Sequence, residues 1–226
     1  TPFIDRMIHE VNRLSEGGES DEVRQERYQY IAELTDKINQ YNNVLTEWIQ
    51  MRQGSLSLRI ESFPLQQLFD IVSKGKMSFQ MQGVKLEVEP TDAVVKADRI
   101  LTLFMINTIA DNARKFTPEG GKVTISAKVS DFVEISISYT GKGMDEEQLA
   151  HVFDRTYTGG HGFGLLNCKG IIEKYKKVSS LFAGCQIKAE SKLGEGSRFS
   201  FRLPKGIARR THQLLGIFIM LFVLLS

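Results

Sequence analysis

With 226 residues, 42% of them hydrophobic, the chain is long enough to bury a sizeable core and to hold one or two domains. Its 29 basic and 27 acidic residues leave a formal charge of +2, so nothing in the charge balance favours nucleic acid as a partner. Cys168 and Cys185 are the only cysteines; they lack metal-ligand spacing and disulfide density, and fit buried thiols of a reducing compartment.

The apolar positions Ile4, Met7, Val11 and Leu14 follow at spacings of 3, 4 and 3. Beyond Gly17-Gly18, Ile31, Leu34, Ile38, Tyr41, Leu45 and Trp48 repeat at 3, 4, 3, 4 and 3. Such seams mark helices that pack along their length, and Ser20 is placed to cap the second. The pattern predicts an antiparallel helical hairpin over residues 1–54. Two helices bury little by themselves, so a homodimeric four-helix bundle is the natural way to cover both seams.

Residues 55–204 read as a second unit. Strands are expected at 56–62, 86–89, 94–97, 122–129 and 132–139, the last two joined by a tight turn at Ser130-Asp131, and a helix at 65–72. Asp98 is placed to cap a central helix whose apolar positions, from Ile100 through Ile106 and Ile109 to Ala113, recur near every 3.6 residues. The fold class is therefore α+β: a helical hairpin followed by an α/β sandwich, its mixed sheet covered on one face by helices.

On the central helix Asn112 and Lys115 lie three apart and share a face away from the apolar one. An amide oxygen can ligate a hard cation and an ammonium can balance phosphate; a core helix ending in a polar turn at Pro118 and Gly120-Gly121 is the plainer alternative. Three glycine clusters follow: Gly141-Lys142-Gly143, Gly160-His161-Gly162-Phe163-Gly164 ahead of a helical stretch at Leu165, and Gly194-Glu195-Gly196-Ser197. Glycines after strands and before helices permit positive φ and close approach to a ligand.

In this order, Asn112 to Gly121, Gly141 to Met144, the segment Asp145 to Asp154 with Phe153, and the final glycine cluster resemble the nucleotide-binding boxes of the histidine kinase, gyrase, Hsp90 and MutL ATPases. The similarity is greatest to the catalytic domain of sensor histidine kinases, and it runs over roughly residues 56–204. It implies ATP and Mg2+ as cofactors, with Asn112 on the metal, Lys115 on phosphate, and Tyr139, Gly141, Gly143, Gly162, Gly164, Leu165 and Ser197 around the nucleotide. The hairpin then resembles the dimerisation and histidine-phosphotransfer domain. There the acceptor histidine would lie four residues before Thr1, with Thr1 at the position that orients a water in family phosphatases. His9, two residues past Met7 and about 200° from the seam, is read as an exposed structural residue. A response regulator receiver domain is the implied partner, and the cytoplasmic side of an inner-membrane protein the implied place.

Three departures stand out. The family's adenine-binding aspartate is matched by Tyr139, and the asparagine expected four residues before Asn112 is Thr108. The superfamily's hydrolases carry at that second position a glutamate that activates water, so its absence favours phosphoryl transfer over hydrolysis. The stretch between Phe153 and Gly162 leaves a very short lid. A degenerate kinase serving as a dimeric signalling scaffold is the alternative these departures imply. Residues 205–226 form a basic then apolar tail. Its run at 214–225 reaches about 18 Å as a helix against a hydrocarbon core of about 30 Å, and reads as the start of a membrane segment if the chain continues, or else as a packed or partner-binding helix.

Overall fold

The computed structural model describes residues 2–52, 58–154 and 164–208. Thr1, Gly162, most of the expected lid and the apolar tail lie outside the described residues, as do the side chains of Tyr41, Leu45 and Trp48. Two helices open the chain, α1 (Pro2–Glu16) and α2 (Asp21–Arg52), with Gly17 and Gly18 in the turn at φ of +71° and +85°. Positive φ is strained for any residue with a Cβ, which is why a glycine pair makes this reversal. The Ser20 hydroxyl accepts from the Val23 amide at 3.3 Å to cap α2. Arg27 reaches back across the pair to Glu10 at 2.5 Å and to Glu19 at 2.7 Å, so the helices run antiparallel.

Of the expected seam, Leu34 is buried and Ile38 half-buried, while Ile4 and Val11 stay exposed. Tyr30, which the heptad spacing passes over, is buried beside Leu34 against Met77 and Met7. One face of α2 therefore packs on the second unit as well as on α1.

That unit runs β1 (Ile60–Pro64), α3 (Gln66–Lys74), α4 (Met77–Gln80), β2 (Lys85–Val88), β3 (Val94–Asp98), α5 (Arg99–Phe116), β4 (Lys122–Val129), β5 (Phe132–Thr140), α6 (Glu146–His151), α7 (Gly164–Val178), a 3-10 turn at Ser180–Phe182, β6 (Gln186–Lys192) and β7 (Gly196–Pro204). Its first strand begins later than the alternation at 56–62 suggests, because Phe63 is the residue it buries, at 2% exposure. β1 pairs antiparallel with β3; the main sheet has the order β2-β4-β5-β7-β6, with β2 and β4 parallel and the rest antiparallel.

Period-two alternation sorts the sheet's faces. Val133, Ile135 and Ile137 of β5 and Phe199, Phe201 and Leu203 of β7 are buried in the core. The opposite face is polar: Arg202 Nε meets Glu134 at 2.7 Å and Arg198 donates to the Ser136 hydroxyl at 2.8 Å. Helices cover only the apolar side.

Asp98 fixes the start of α5. Its Oδ1 accepts from the amides of Ile100 and Leu101 at 3.0 and 3.1 Å, and its Oδ2 from the Arg59 amide at 3.0 Å. The Asp98 amide in turn donates to the Tyr175 hydroxyl at 2.8 Å, tying α7 to the same corner. Burial pushes the Tyr175 phenol well above its ordinary range. It stays neutral, as a buried hydroxyl with an amide partner should.

Candidate functional site

α5 presents Asn112 at 5% exposure. The buried side-chain nitrogen of Asn112 has no hydrogen-bond partner among the described residues. An unsatisfied buried donor costs about 1–3 kcal/mol, so such a group in a folded core points to a ligand that completes it.

Thr108 lies one turn earlier on the same face of α5, and Gly164 opens α7 directly against it. A Cβ at Gly164 would stand 2.7 Å from the Thr108 methyl. The start of α7, with its unpaired amides and positive dipole end, is thus brought to α5 within a turn of Asn112, as an anion site requires. Leu165 is fully buried and anchors that helix end through packing. Lys115, three residues after Asn112, is exposed while Asn112 is enclosed.

The loop after β5 is held closely by the protein's own backbone. A Cβ at Gly141 would fall 2.7 Å from the Phe116 carbonyl. At Gly143, where φ is +66°, it would fall 2.1 Å from the carbonyl of Lys192. These glycines seat the loop between the end of α5 and the β6–β7 turn, where sequence alone suggested close approach to a ligand. The Gly194 amide donates to Lys142 O at 2.8 Å across the same gap.

Beside this loop, Ser197 is buried and sits opposite Tyr139 in the β5–β7 register. The Ser191 hydroxyl accepts from the Met144 amide at 2.7 Å and donates to Gly196 O at 2.9 Å. Its one proton being used there, the 2.8 Å contact with Ser197 Oγ must be donated by Ser197. Ser191 therefore links the loop after β5 to the start of β7, a role for which spacing gave no signal. Tyr139 is 7% exposed and lies parallel to Phe199 with centroids 6.4 Å apart; Phe153 meets Phe199 edge-on at 6.1 Å. An aromatic row occupies the position at which the resemblance implies a carboxylate.

On another side of α5, Asp111 accepts from Arg114 Nε and Nη2 at 3.1 and 2.9 Å and faces Lys37 Nζ of α2 at 3.9 Å. Burial raises the Asp111 carboxyl, but Lys37 and Arg114 more than reverse this and hold it below its ordinary value. Neither Asp111 nor Lys37 stands out in the sequence. His9 is exposed.

Residues 97–207 match the family described as histidine kinase-, DNA gyrase B- and HSP90-like ATPase. Among curated proteins similar to this chain, the sensor protein DivL of Caulobacter vibrioides is 30% identical over 181 residues, covering 77% of this chain and 22% of DivL. The sensor protein SrrB of Staphylococcus aureus is 30% identical over 203 residues, covering 83% of this chain and 33% of SrrB. The chain thus spans between a fifth and a third of the length of these relatives. The catalytic domain of the histidine kinase ThkA superposes with a TM-score of 0.55 at 26% identity, over 66% of this chain and 97% of that domain. Full-length ShkA, solved with AMPPNP, shares the fold with a TM-score of 0.60 at 22% identity, over 86% of this chain and 41% of ShkA. Among the described residues no helix is long and apolar enough to cross a membrane.

Proposed function

Because the chain belongs, through residues 97–207, to the histidine kinase-, DNA gyrase B- and HSP90-like ATPase family, we propose that it is the nucleotide-binding core of a two-component sensor histidine kinase. The observation that carries this reading is the buried amide nitrogen of Asn112, unpartnered among the described residues and one turn along α5 from Thr108, against which α7 begins. In this reading the Asn112 side-chain oxygen holds Mg2+, which supplies charge neutralisation to the phosphates of ATP, and its nitrogen is left to donate to a phosphate oxygen. The first amides of α7, from Gly164 and Leu165, favour phosphate, and exposed Lys115 adds positive charge at the rim. Gly141 and Gly143, with Gly162 of the undescribed loop, shape the wall, and Ser197 stands beside Tyr139 at the base end.

Residues 1–54 would be the dimerisation and phosphotransfer hairpin of a homodimer, residues 55–204 the catalytic domain and 205–226 the tail. The acceptor histidine would precede Thr1, with Thr1 orienting a water in the reverse, phosphatase direction. The phosphoryl group would then pass to an aspartate of a response regulator receiver domain docked on the hairpin. The absence of a water-activating glutamate at Thr108 favours transfer over hydrolysis. The unit would work on the cytoplasmic face of an inner-membrane protein, through segments beyond those described.

Burial of Tyr139 against Phe199 favours one second reading, a degenerate kinase that retains the fold as a dimeric scaffold. Calorimetric titration of Mg-ATP into the chain separates the two. Micromolar binding that Asn112→Ala abolishes supports the kinase reading; binding that emerges only in Tyr139→Asp supports the scaffold and overturns the kinase.

A further inference from the structure

Residues 33, 36 and 37 of α2 share one helix face, and in the folded chain that face walls a cavity outside the candidate nucleotide site. The cavity measures about 110 Å³, is partly open to solvent, and lies between α2, α3 and α5. Its floor is apolar: Val72, Phe79 and Ala110, none more than 5% exposed. Its walls and rim are charged, through Asp36, Lys37 and Lys74. An apolar floor beneath a few convergent polar groups is the make-up of a small-molecule site.

The charges differ in what they are free to do. Glu33 also faces the cavity, but its carboxylate is committed, accepting from the Met77 and Ser78 amides at 3.2 and 3.1 Å. Lys37 is not committed in this way. Its side chain is 13% exposed, and the carboxylate oxygen nearest its Nζ among the described residues, on Asp111, stands 3.9 Å away, beyond hydrogen-bond reach. Asp111 meanwhile accepts closer bonds from Arg114 at 3.1 and 2.9 Å. A largely enclosed ammonium therefore has donors to spare, and the partner that suits it is an anionic acceptor. Burial lowers the pKa of Lys37, and Asp111 and Glu33 only partly restore it. Asp36 is exposed and makes no ion pair with a described residue. Opposite charges thus meet the cavity from adjacent positions on one helix, and Lys74 at the end of α3 adds a second cation at the rim.

A carboxylate alone would be repelled by Asp36, and an ammonium alone by Lys37 and Lys74. A ligand that carries both charges on one carbon, with an apolar chain attached, answers the walls and the floor together. Size narrows the choice: an apolar cavity of about 150 Å³ holds one benzene ring, so a cavity of about 110 Å³ suits a short aliphatic side chain and excludes a large aromatic one. We propose that this cavity is a binding site for a small aliphatic α-amino acid, its carboxylate on Lys37, its ammonium on Asp36 and its side chain over Val72, Phe79 and Ala110. The assignment requires no nucleotide and stands apart from the kinase reading.

Calorimetric titration of L-valine into the whole chain tests it. Saturable binding is expected, with a dissociation constant between about 10 μM and about 1 mM, the range open to a ligand of this size. Isovalerate, which lacks the ammonium, isobutylamine, which lacks the carboxylate, and L-tryptophan, which is too large, should each bind about tenfold or more weakly. Lys37→Met removes the partner of the carboxylate and should weaken valine binding about ten- to a hundredfold. Asp36→Asn, an exposed change that keeps the side-chain shape and leaves the fold intact, should weaken it about tenfold. No binding of valine at about 10 mM overturns the site, and isovalerate binding as tightly as valine overturns its ligand class. Undiminished binding in both variants would also sink the proposal. So would displacement of valine by Mg-ATP, which would put the amino acid in the nucleotide site.

Discussion

At residue scale, Tyr139 would decide what the proposed pocket can read. A phenol can accept one hydrogen bond but brings no charge, and here its ring is spent on Phe199. Tyr139→Asp restores a charge-assisted acceptor for an amino group and should tighten Mg-ATP binding about ten- to a hundredfold by titration. The same change removes a stacked ring and places a carboxylate at 7% exposure, so the nucleotide-free protein should lose about 3 kcal/mol in urea unfolding. Tighter binding together with lower stability would mark Tyr139 as a structural replacement for a ligand-reading group. A variant that gains neither affinity nor loses stability would show that the aromatic row has no part in the pocket.

At element scale, the fate of α5 shows which features are legible before a structure exists. Asp98 as cap and the apolar face of the helix are local, set by φ preferences and a 3.6-residue repeat, so sequence displays them. Strands β4 and β5 with their tight turn follow from alternation in the same way. The contact of α2 with α4 is not local. Glu33 meets Met77 and Ser78 across more than forty residues, and Tyr30 falls between the heptad positions, so periodicity assigned the helix face to its neighbour in sequence. The glycine loops were visible as loops, but what presses on them was not: Gly143 is shaped by the Lys192 carbonyl, a long-range contact. Asp98 also exceeds its local role, since it accepts from Arg59 and donates its amide to Tyr175. Asp98→Ala should therefore cost about 2 kcal/mol or more, above the ordinary loss of a cap, measured as a fall in the urea midpoint. A loss of only a few tenths would mean that the side-chain link to Arg59, just ahead of β1, carries no energy; the amide link to Tyr175 survives the change.

At the scale of the whole molecule, the contact of α2 with α4 and α5 makes the docking of the first two helices on the rest of the chain depend on pH. Burial lowers the pKa of Lys37; Asp111 and Glu33 oppose this, and Arg114 and Arg6 add to it. Asp36 of α2 and Lys74 of α3 face the same cavity. On release the ammonium returns to its ordinary value of 10.5, so the docked state binds fewer protons than the released one. Docking then strengthens as pH rises, with the gain complete only above 10.5, and it weakens as pH falls toward the docked pKa of Lys37. Glu33 works in the opposite sense. Burial raises its carboxyl against the two amides it caps, so its contribution is full below 4.5 and is lost as pH rises through the elevated value. The alkaline arm therefore belongs to Lys37, and the docked fraction, read from the distance between spin labels at the exposed positions Asn12→Cys and Lys177→Cys, should rise as pH climbs toward 10.5. Lys37→Met should flatten that arm and still leave the unit docked, because Asp111 keeps Arg114 as its partner and a buried ammonium has been replaced by an apolar chain. An alkaline arm of undiminished slope in Lys37→Met would assign the titration to a group other than Lys37.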